Sequence, residues 1–278
     1  MPTMGRRRFV AGAAALGATG LVGSLPVRAL ADGDRLRSEQ VDFQVPGLDP
    51  AHDGLRVAQL SDLHVGARTD PALIRAAVEA ANAARPDLVV LTGDYVCHDR
   101  REVAGVRSLL GGLAAPTVAV LGNHDVWTDP DGIAAALRGH GYEVLENGWT
   151  SITLRGAPLT LVGVGDHHTR RDDVARATAG LPSRTAPLVL AHGPRTADRL
   201  RALGRPVLCL SGHTHGGQID VPILTPLVLS RLVGEPYVKG RYQLAPVQLY
   251  VNRGVGMSGI RVRINSPPEV TLATLRAA

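Results

Sequence analysis

The stretch LRVAQLSDLH, residues 55–64, decides how this chain is read. Six residues that make a strand run straight into an aspartate and a histidine two positions apart. Just past the strand, Asp62 and His64 can both turn toward one point above its carboxyl end. The same order recurs downstream. Gly93-Asp94 follows the run Leu88–Leu91, Gly122-Asn123-His124-Asp125 follows Thr117–Leu121, His192 follows Leu188–Ala191, and Gly212-His213-Thr214-His215 follows Val207–Leu210. Seven side chains, Asp62, His64, Asp94, Asn123, His192, His213 and His215, would then meet at one edge of a sheet. Such hard oxygen and borderline imidazole donors suit two transition-metal or zinc-like cations.

Each motif alone has an ordinary reading. Asp94 could be a turn residue or helix cap, the Asn123 segment a plain turn, and a lone histidine on an apolar strand a structural residue. Five such motifs in sequence make coincidence a poor account. In context, the two oxygens of Asp94 can bridge cations held roughly 3.5–4 Å apart, and Asn123 offers a neutral amide oxygen. His124 lies beside the site without needing to ligate, with Asp125 placed to fix its tautomer and raise its basicity. His213 and His215 alternate, so on an extended segment both face one side.

Outward from these motifs the chain alternates strand and helix. Val41, Phe43 and Val45 alternate as an edge strand does, within a linker and entry strand over 32–50. Asp70-Pro71 caps a helix whose apolar face is Leu73, Ile74, Ala77, Val78 and Ala81; a second helix spans Arg101–Leu113, and Asp129-Pro130 opens a third. Asn147-Gly148 and Gly156 break Val144–Val164 into hairpin-like segments. A further helix lies near Thr196–Leu203, and the last third is β-rich. This rhythm and the length predict one α/β domain over residues 51–278.

Composition narrows the function classes. Lys+Arg 30 against Asp+Glu 25 gives +5, but four of those arginines lie in the first 31 residues, where no acid occurs. The remaining excess of one argues against a basic nucleic-acid surface, and 3% aromatic residues leave few stacking platforms. Those first residues read as an export signal. Arg6-Arg7-Arg8-Phe9 precedes an uncharged apolar stretch to Val27, then Ala29-Leu30-Ala31 has the small-x-small form of a cleavage site. The expectation is a twin-arginine-type signal over residues 1–31, read by the twin-arginine translocase. That route carries folded proteins, which suits a chain loaded with metal before it crosses the membrane. An uncleaved membrane anchor is the competing reading.

The ordered motif set resembles the calcineurin-like metallophosphoesterase superfamily over nearly all of the chain after the signal. The extended form Gly212-His-Thr-His-Gly-Gly-Gln218-Ile219, with Leu249–Gly254 and Pro268-Glu269 downstream, resembles its exported bacterial phosphodiesterase branch, related to UDP-diacylglucosamine pyrophosphatases. The resemblance implies a four-layer αββα sandwich of two mixed sheets flanked by helices. It implies one metal on Asp62, His64, Asp94 and His215 and another on Asp94, Asn123, His192 and His213, as divalent or trivalent manganese, zinc or iron. His124 would be the general acid or a hydrogen-bond donor to the transition state. Hydrolysis of a phosphodiester or pyrophosphate follows, through a water activated between the cations, with lipid-linked or cell-envelope compounds as candidate substrates. Cys97 and Arg195 stand where the branch usually has acidic residues, which bears on substrate preference and not on the ligands. Arg195 could add a cation beside a bound phosphate.

Other residues are open to two readings each. Asp166-His167-His168 would line the pocket or lie in a solvated loop. Tyr95 and Trp127 flank ligand motifs and would pack beneath the site or touch substrate. Cys97 and Cys209 read as buried free thiols, though export would permit a disulfide. Ile219–Val233 is strongly apolar, with Pro222, Pro226 and Gly234 opposing a regular helix; it is a loop packed over a sheet, or a lip facing a membrane or acyl chain. Two further functions compete with the diesterase reading: a broad phosphomonoesterase, and an exported non-catalytic metal- or phosphate-binding protein, against which His124 beside Asp125 argues.

Overall fold

Strands whose residues are apolar at every position, rather than every second one, must be covered on both faces. In the computed structural model, which describes residues 35–183 and 185–278, two six-stranded sheets meet this demand. The first contains β1 (Arg37–Val45), β2 (Leu55–Leu60), β3 (Leu88–Leu91), β4 (Thr117–Ala119), β5 (Glu143–Val144) and β12 (Glu269–Ala277), in the order β1-β12-β2-β3-β4-β5. The second contains β6 (Gly148–Leu154), β7 (Ala157–Val164), β8 (Leu188–Ala191), β9 (Val207–Ser211), β10 (Gly240–Leu244) and β11 (Val247–Val251), in the order β10-β11-β9-β8-β7-β6. Both are mixed: β2 to β5 run parallel and so do β7, β8, β9 and β11, while β12, β6 and β10 pair antiparallel.

The two-residue period of a strand divides the core into layers. Leu88 and Val90 of β3 face Leu188 and Leu190 of β8 and Leu208 and Leu210 of β9 in the layer between the sheets. Val89 and Leu91 point the other way, onto α1 (Pro71–Ala83), α2 (Val103–Leu109) and α4 (Pro130–Arg138), and Cys209 with Val189 packs on α5 (Val174–Ala177) and α6 (Thr196–Leu200). Each fully buried Leu or Val of these layers contributes on the order of 1.5–3 kcal/mol. The expected four-layer sandwich is therefore present. Asp70 caps α1 through Ala72 N at 2.8 Å, with Pro71 at the first helical position, and Asp129 caps α4 through Gly132 N at 3.1 Å.

Several boundaries differ. The helix expected over Arg101–Leu113 is a 3-10 turn at Arg100–Glu102 followed by α2, ending at Leu109 ahead of Gly111-Gly112. β1 is an edge strand as its alternation predicted, and it pairs parallel to β12. Against the expectation of an irregular loop, Leu224–Val228 forms a short helix, α7, which widens into a π-helical turn at Leu229–Val233. The expected signal over 1–31 lies outside the described residues. Among the described residues no helix is long and apolar enough to cross a membrane.

Candidate metal centre

The parallel strands β2, β3, β4, β8 and β9 all end at one edge, where the chain has to turn and where an α/β sheet leaves a crevice for ligands. Gln59 ties the edges of the two sheets together, donating to Thr92 Oγ1 at 3.0 Å and to the Ser211 carbonyl at 2.9 Å. The turns are tight enough to put Asp62, His64, Asp94, His213 and His215 at φ between 44° and 77°, a left-handed backbone that non-glycine residues seldom adopt. Two glycines make the room. A Cβ on Gly122 would meet Asp94 Oδ1 at 2.2 Å, and one on Gly212 would meet Asp62 Oδ2 at 2.2 Å.

All seven expected ligands come together. Asp62, His64 and His215 offer ligand atoms within 4.8 Å of one another, and so do Asp94, His192 and His213. Asp94 joins the groups, its Oδ2 lying 3.7 Å from His64 Nε2 and 3.2 Å from His192 Nε2. Asn123 Oδ1 is 3.1 Å from His192 Nε2. Asp62 and His64 are fully buried and Asp94 nearly so.

The hydrogen bonds around the rings decide what these atoms can do. His192 Nδ1 lies 2.8 Å from the Thr92 carbonyl and His64 Nδ1 lies 3.2 Å from that of Val96, so each donates its N–H outward and turns the Nε2 lone pair inward. There the Nε2 of His64 faces His215 Nε2 at 3.0 Å, and that of His192 faces His213 Nδ1 at 3.2 Å. Converging acceptors repel unless a cation or proton sits among them. Burial, the largest influence, holds His64 down at about 3 and keeps His213 and His215 well below the usual histidine range, so these imidazoles are neutral. Burial also pushes Asp62 up to about 6, with Asp94 adding to it. For His192, burial opposes the charge, yet Asp94, Asp62 and Asp166 outweigh it and raise its pKa well above normal. Neutral imidazoles around the ionised Asp94 carboxylate, which against its burial His192 holds well below the usual range, fit a metal centre, since cation binding displaces the one proton retained on His192.

Three expectations about roles change. His213 and His215 do not alternate on an extended segment; each takes a left-handed backbone on either side of a right-handed Thr214, with His215 opening the 3-10 turn His215–Gly217, and so they join different groups. Asp125 does not set the tautomer of His124. Its carboxylate accepts from the backbone N–H groups of Asp94 and Gly122 at 2.8 Å each, Tyr95 at 2.8 Å and Val96 at 3.3 Å, bracing the Asp94 turn against the start of the short helix α3 (Asn123–Thr128). The Cys97 carbonyl, 2.6 Å from His124 Nδ1, orients that ring instead, leaving Nε2 available. His124 also stands within ligand distance of His64 and Asp94, while its backbone N–H donates to Asp94 Oδ1 at 2.9 Å.

Around the ligands, Asp166 is buried with its Oδ1 3.5 Å from His168 Nδ1, and His168 stacks on His213 with ring centres 3.8 Å apart. The Asp166-His167-His168 segment therefore lines the site. Tyr95 is buried and its hydroxyl donates to the Val120 carbonyl at 2.9 Å, whereas Trp127 is exposed with its ring edge-on to His124. Cys97 and Cys209 are buried free thiols. Sequence reading missed Arg263. This fully buried guanidinium donates to the carbonyls of Arg253 at 2.9 Å, Ser266 at 3.0 Å and Gly254 at 3.1 Å, with His215 Nδ1 3.2 Å from its Nη2. Glu235 is also buried, and burial lifts its pKa to about 7.

Residues 55–217, which contain all seven ligand candidates, match the family described as calcineurin-like phosphoesterase. An uncharacterized metallophosphoesterase of Bacillus subtilis (strain 168), YkuE, is 29% identical over 287 residues, covering 100% of this chain and 99% of that protein. Phosphodiesterase YaeI of Escherichia coli (strain K12) is 36% identical over 236 residues, covering 79% and 82%. The UDP-2,3-diacylglucosamine pyrophosphatase LpxG of Chlamydia muridarum is 26% identical, covering 85% and 88%.

Proposed function

Since this chain belongs to the calcineurin-like phosphoesterases, a family of metal-dependent hydrolases, we propose that it cleaves a phosphodiester or pyrophosphate bond at a dinuclear centre. The observation that carries the reading is the pair of three-residue groups joined at Asp94. Asp62, His64, Asp94 and His215 would hold one cation, and Asp94, Asn123, His192 and His213 the other. Bound there, the cations supply water activation and charge neutralisation at phosphorus. The rest is done by the protein. Hydrolysis adds a water oxygen to phosphorus and breaks the bond to the leaving oxygen, which needs a proton. His124 is the donor in this reading: the Cys97 carbonyl holds Nδ1–H, so the imidazolium offers Nε2–H to the leaving group. Asp125 keeps the Asp94 turn and the start of α3 in register, and Arg195 at the rim suits a second phosphate.

The names of the relatives extend the proposal to substrate class. YaeI is called a phosphodiesterase and LpxG a pyrophosphatase of a diacylated nucleotide sugar, which favours a lipid-linked or cell-envelope substrate met after export through the twin-arginine route. The test pairs metal analysis with turnover of bis-nitrophenyl and mono-nitrophenyl phosphate. Two equivalents of manganese, zinc or iron and faster cleavage of the diester are expected. A single equivalent refutes the dinuclear centre, and faster monoester cleavage makes the protein a phosphomonoesterase.

A further inference from the structure

Of the twelve large apolar side chains exposed among the described residues, ten fall on two loops. One is 219–233, where Ile223 is 85% and Leu232 80% exposed; the other carries Ile260 and Val262. The loops form one piece. Gln218 donates its Nε2 to the carbonyls of Ser258 at 2.9 Å and Ile260 at 3.0 Å and accepts from Ser258 N at 2.9 Å, while Asp220 N donates to Ile264 O at 2.9 Å. Polar backbone and side-chain groups are thus consumed between the loops, and the apolar side chains are left facing out. Ile223 holds φ at 71°, a conformation that β-branched residues rarely take, so the tip is held outward against local strain.

We propose that this pair of loops seats the protein on an anionic lipid bilayer, with the metal centre opening beside the headgroups. Charge selects that occupant. Across 219–234 and 256–264 the one acid is Asp220, buried and paired with Lys239 Nζ at 2.7 Å, and the exposed cations are Arg231 and Arg261. A two-fold dimer through this face would gather four guanidiniums with no carboxylate among them, whereas an anionic headgroup layer neutralises them and the acyl boundary takes the side chains. The platform is also fixed to the site at both ends. It begins at the His215–Gly217 turn and ends at Gly234, whose added Cβ would lie 3.7 Å from the Arg195 guanidinium. This deepens the lipid-linked reading above, since a substrate held in a membrane would reach the cations without leaving it.

The experiment uses the full, metal-loaded chain with vesicles of phosphatidylcholine alone or with about 30% phosphatidylglycerol, and separately measures turnover of soluble bis-nitrophenyl phosphate. We expect at least ~10-fold stronger partitioning onto the anionic vesicles, weakening with salt. The Ile223→Asp/Leu232→Asp pair should lose at least ~10-fold on both kinds of vesicle, and Arg231→Glu/Arg261→Glu should lose the anionic preference, each with wild-type turnover. Unchanged partitioning of the first pair, or lip-dependent dimers that ignore vesicles, overturns the proposal. Vesicle binding without turnover by the wild type would instead refute the catalytic reading and leave the membrane seat standing.

Discussion

Replacing Arg263 with methionine should weaken the fold and release one metal ahead of the other. Methionine roughly fills the space but donates nothing. The carbonyls of Arg253, Gly256 and Ser266, which among the described residues receive only the guanidinium, would lose their partners. An orphaned buried acceptor costs about 1–3 kcal/mol, so three give roughly 3–9 kcal/mol. Against this, the wild type buries a guanidinium that forms no ion pair among the described residues, a penalty of several kcal/mol that the variant recovers. The orphaned acceptors should outweigh the recovered desolvation, for a net loss of about 1–5 kcal/mol out of the ~5–15 kcal/mol that holds a domain folded. Urea unfolding of the metal-free protein measures it. Because Arg263 touches His215 and not His192 or His213, the Asp62-His64-His215 group should loosen first, and metal content should fall toward one equivalent per chain. Arg263→Lys, which keeps the charge but not the fork, should lie between. A variant with less than about 1 kcal/mol of lost stability and both metals would refute the claim that this residue carries the loops behind His215.

Asp94→Ala should abolish turnover and both metal equivalents together, measured on one preparation; two tightly held ions would refute the bridging role. His124→Ala should keep both metals and lose about 10²–10⁴-fold in rate, less for nitrophenyl than for alkyl leaving groups, and equal losses would rule out proton donation. Glu235 holds its proton more tightly when folded, with a pKa of about 7 against an ordinary 4.5. Its contribution is therefore full below pH 4.5 and is lost as pH rises through about 7, a change of up to ~3 kcal/mol that Glu235→Gln should remove from the metal-free unfolding profile. Arg6→Lys with Arg7→Lys should leave precursor in the cytoplasm, and unchanged export on fractionation would assign the general secretory route.

What the sequence made legible was periodic or punctuated. Strand ends are marked by glycines, and the Asp-Pro caps of α1 and α4 announce themselves, so the residues that gather at the sheet edge could be read in order along the chain. Asp125 was misread because its partners are backbone N–H groups of Asp94, Gly122, Tyr95 and Val96, which have no letter of their own. His213 and His215 looked like alternation on a strand, but two left-handed residues turn alternation into divergence. Arg263 sits in Arg-Val-Arg, a pattern that reads as solvated; its burial depends on carbonyls delivered from 253–256 and 266. The short helix at Leu224–Val228 forms despite Pro222 and Pro226 because the first precedes it and the second lies in its first turn, where a missing N–H goes unnoticed.

Five of the seven proposed ligand positions hold a backbone twist that their residues disfavour by roughly 1 kcal/mol or more each. Glycine would relax every one of them while deleting the chemistry. If they hold the proposed metals, a library of this protein screened for heat resistance alone should shed Asp62, His64, Asp94, His213 and His215 before its core residues, and one screened for turnover should keep them against the preference of the chain itself.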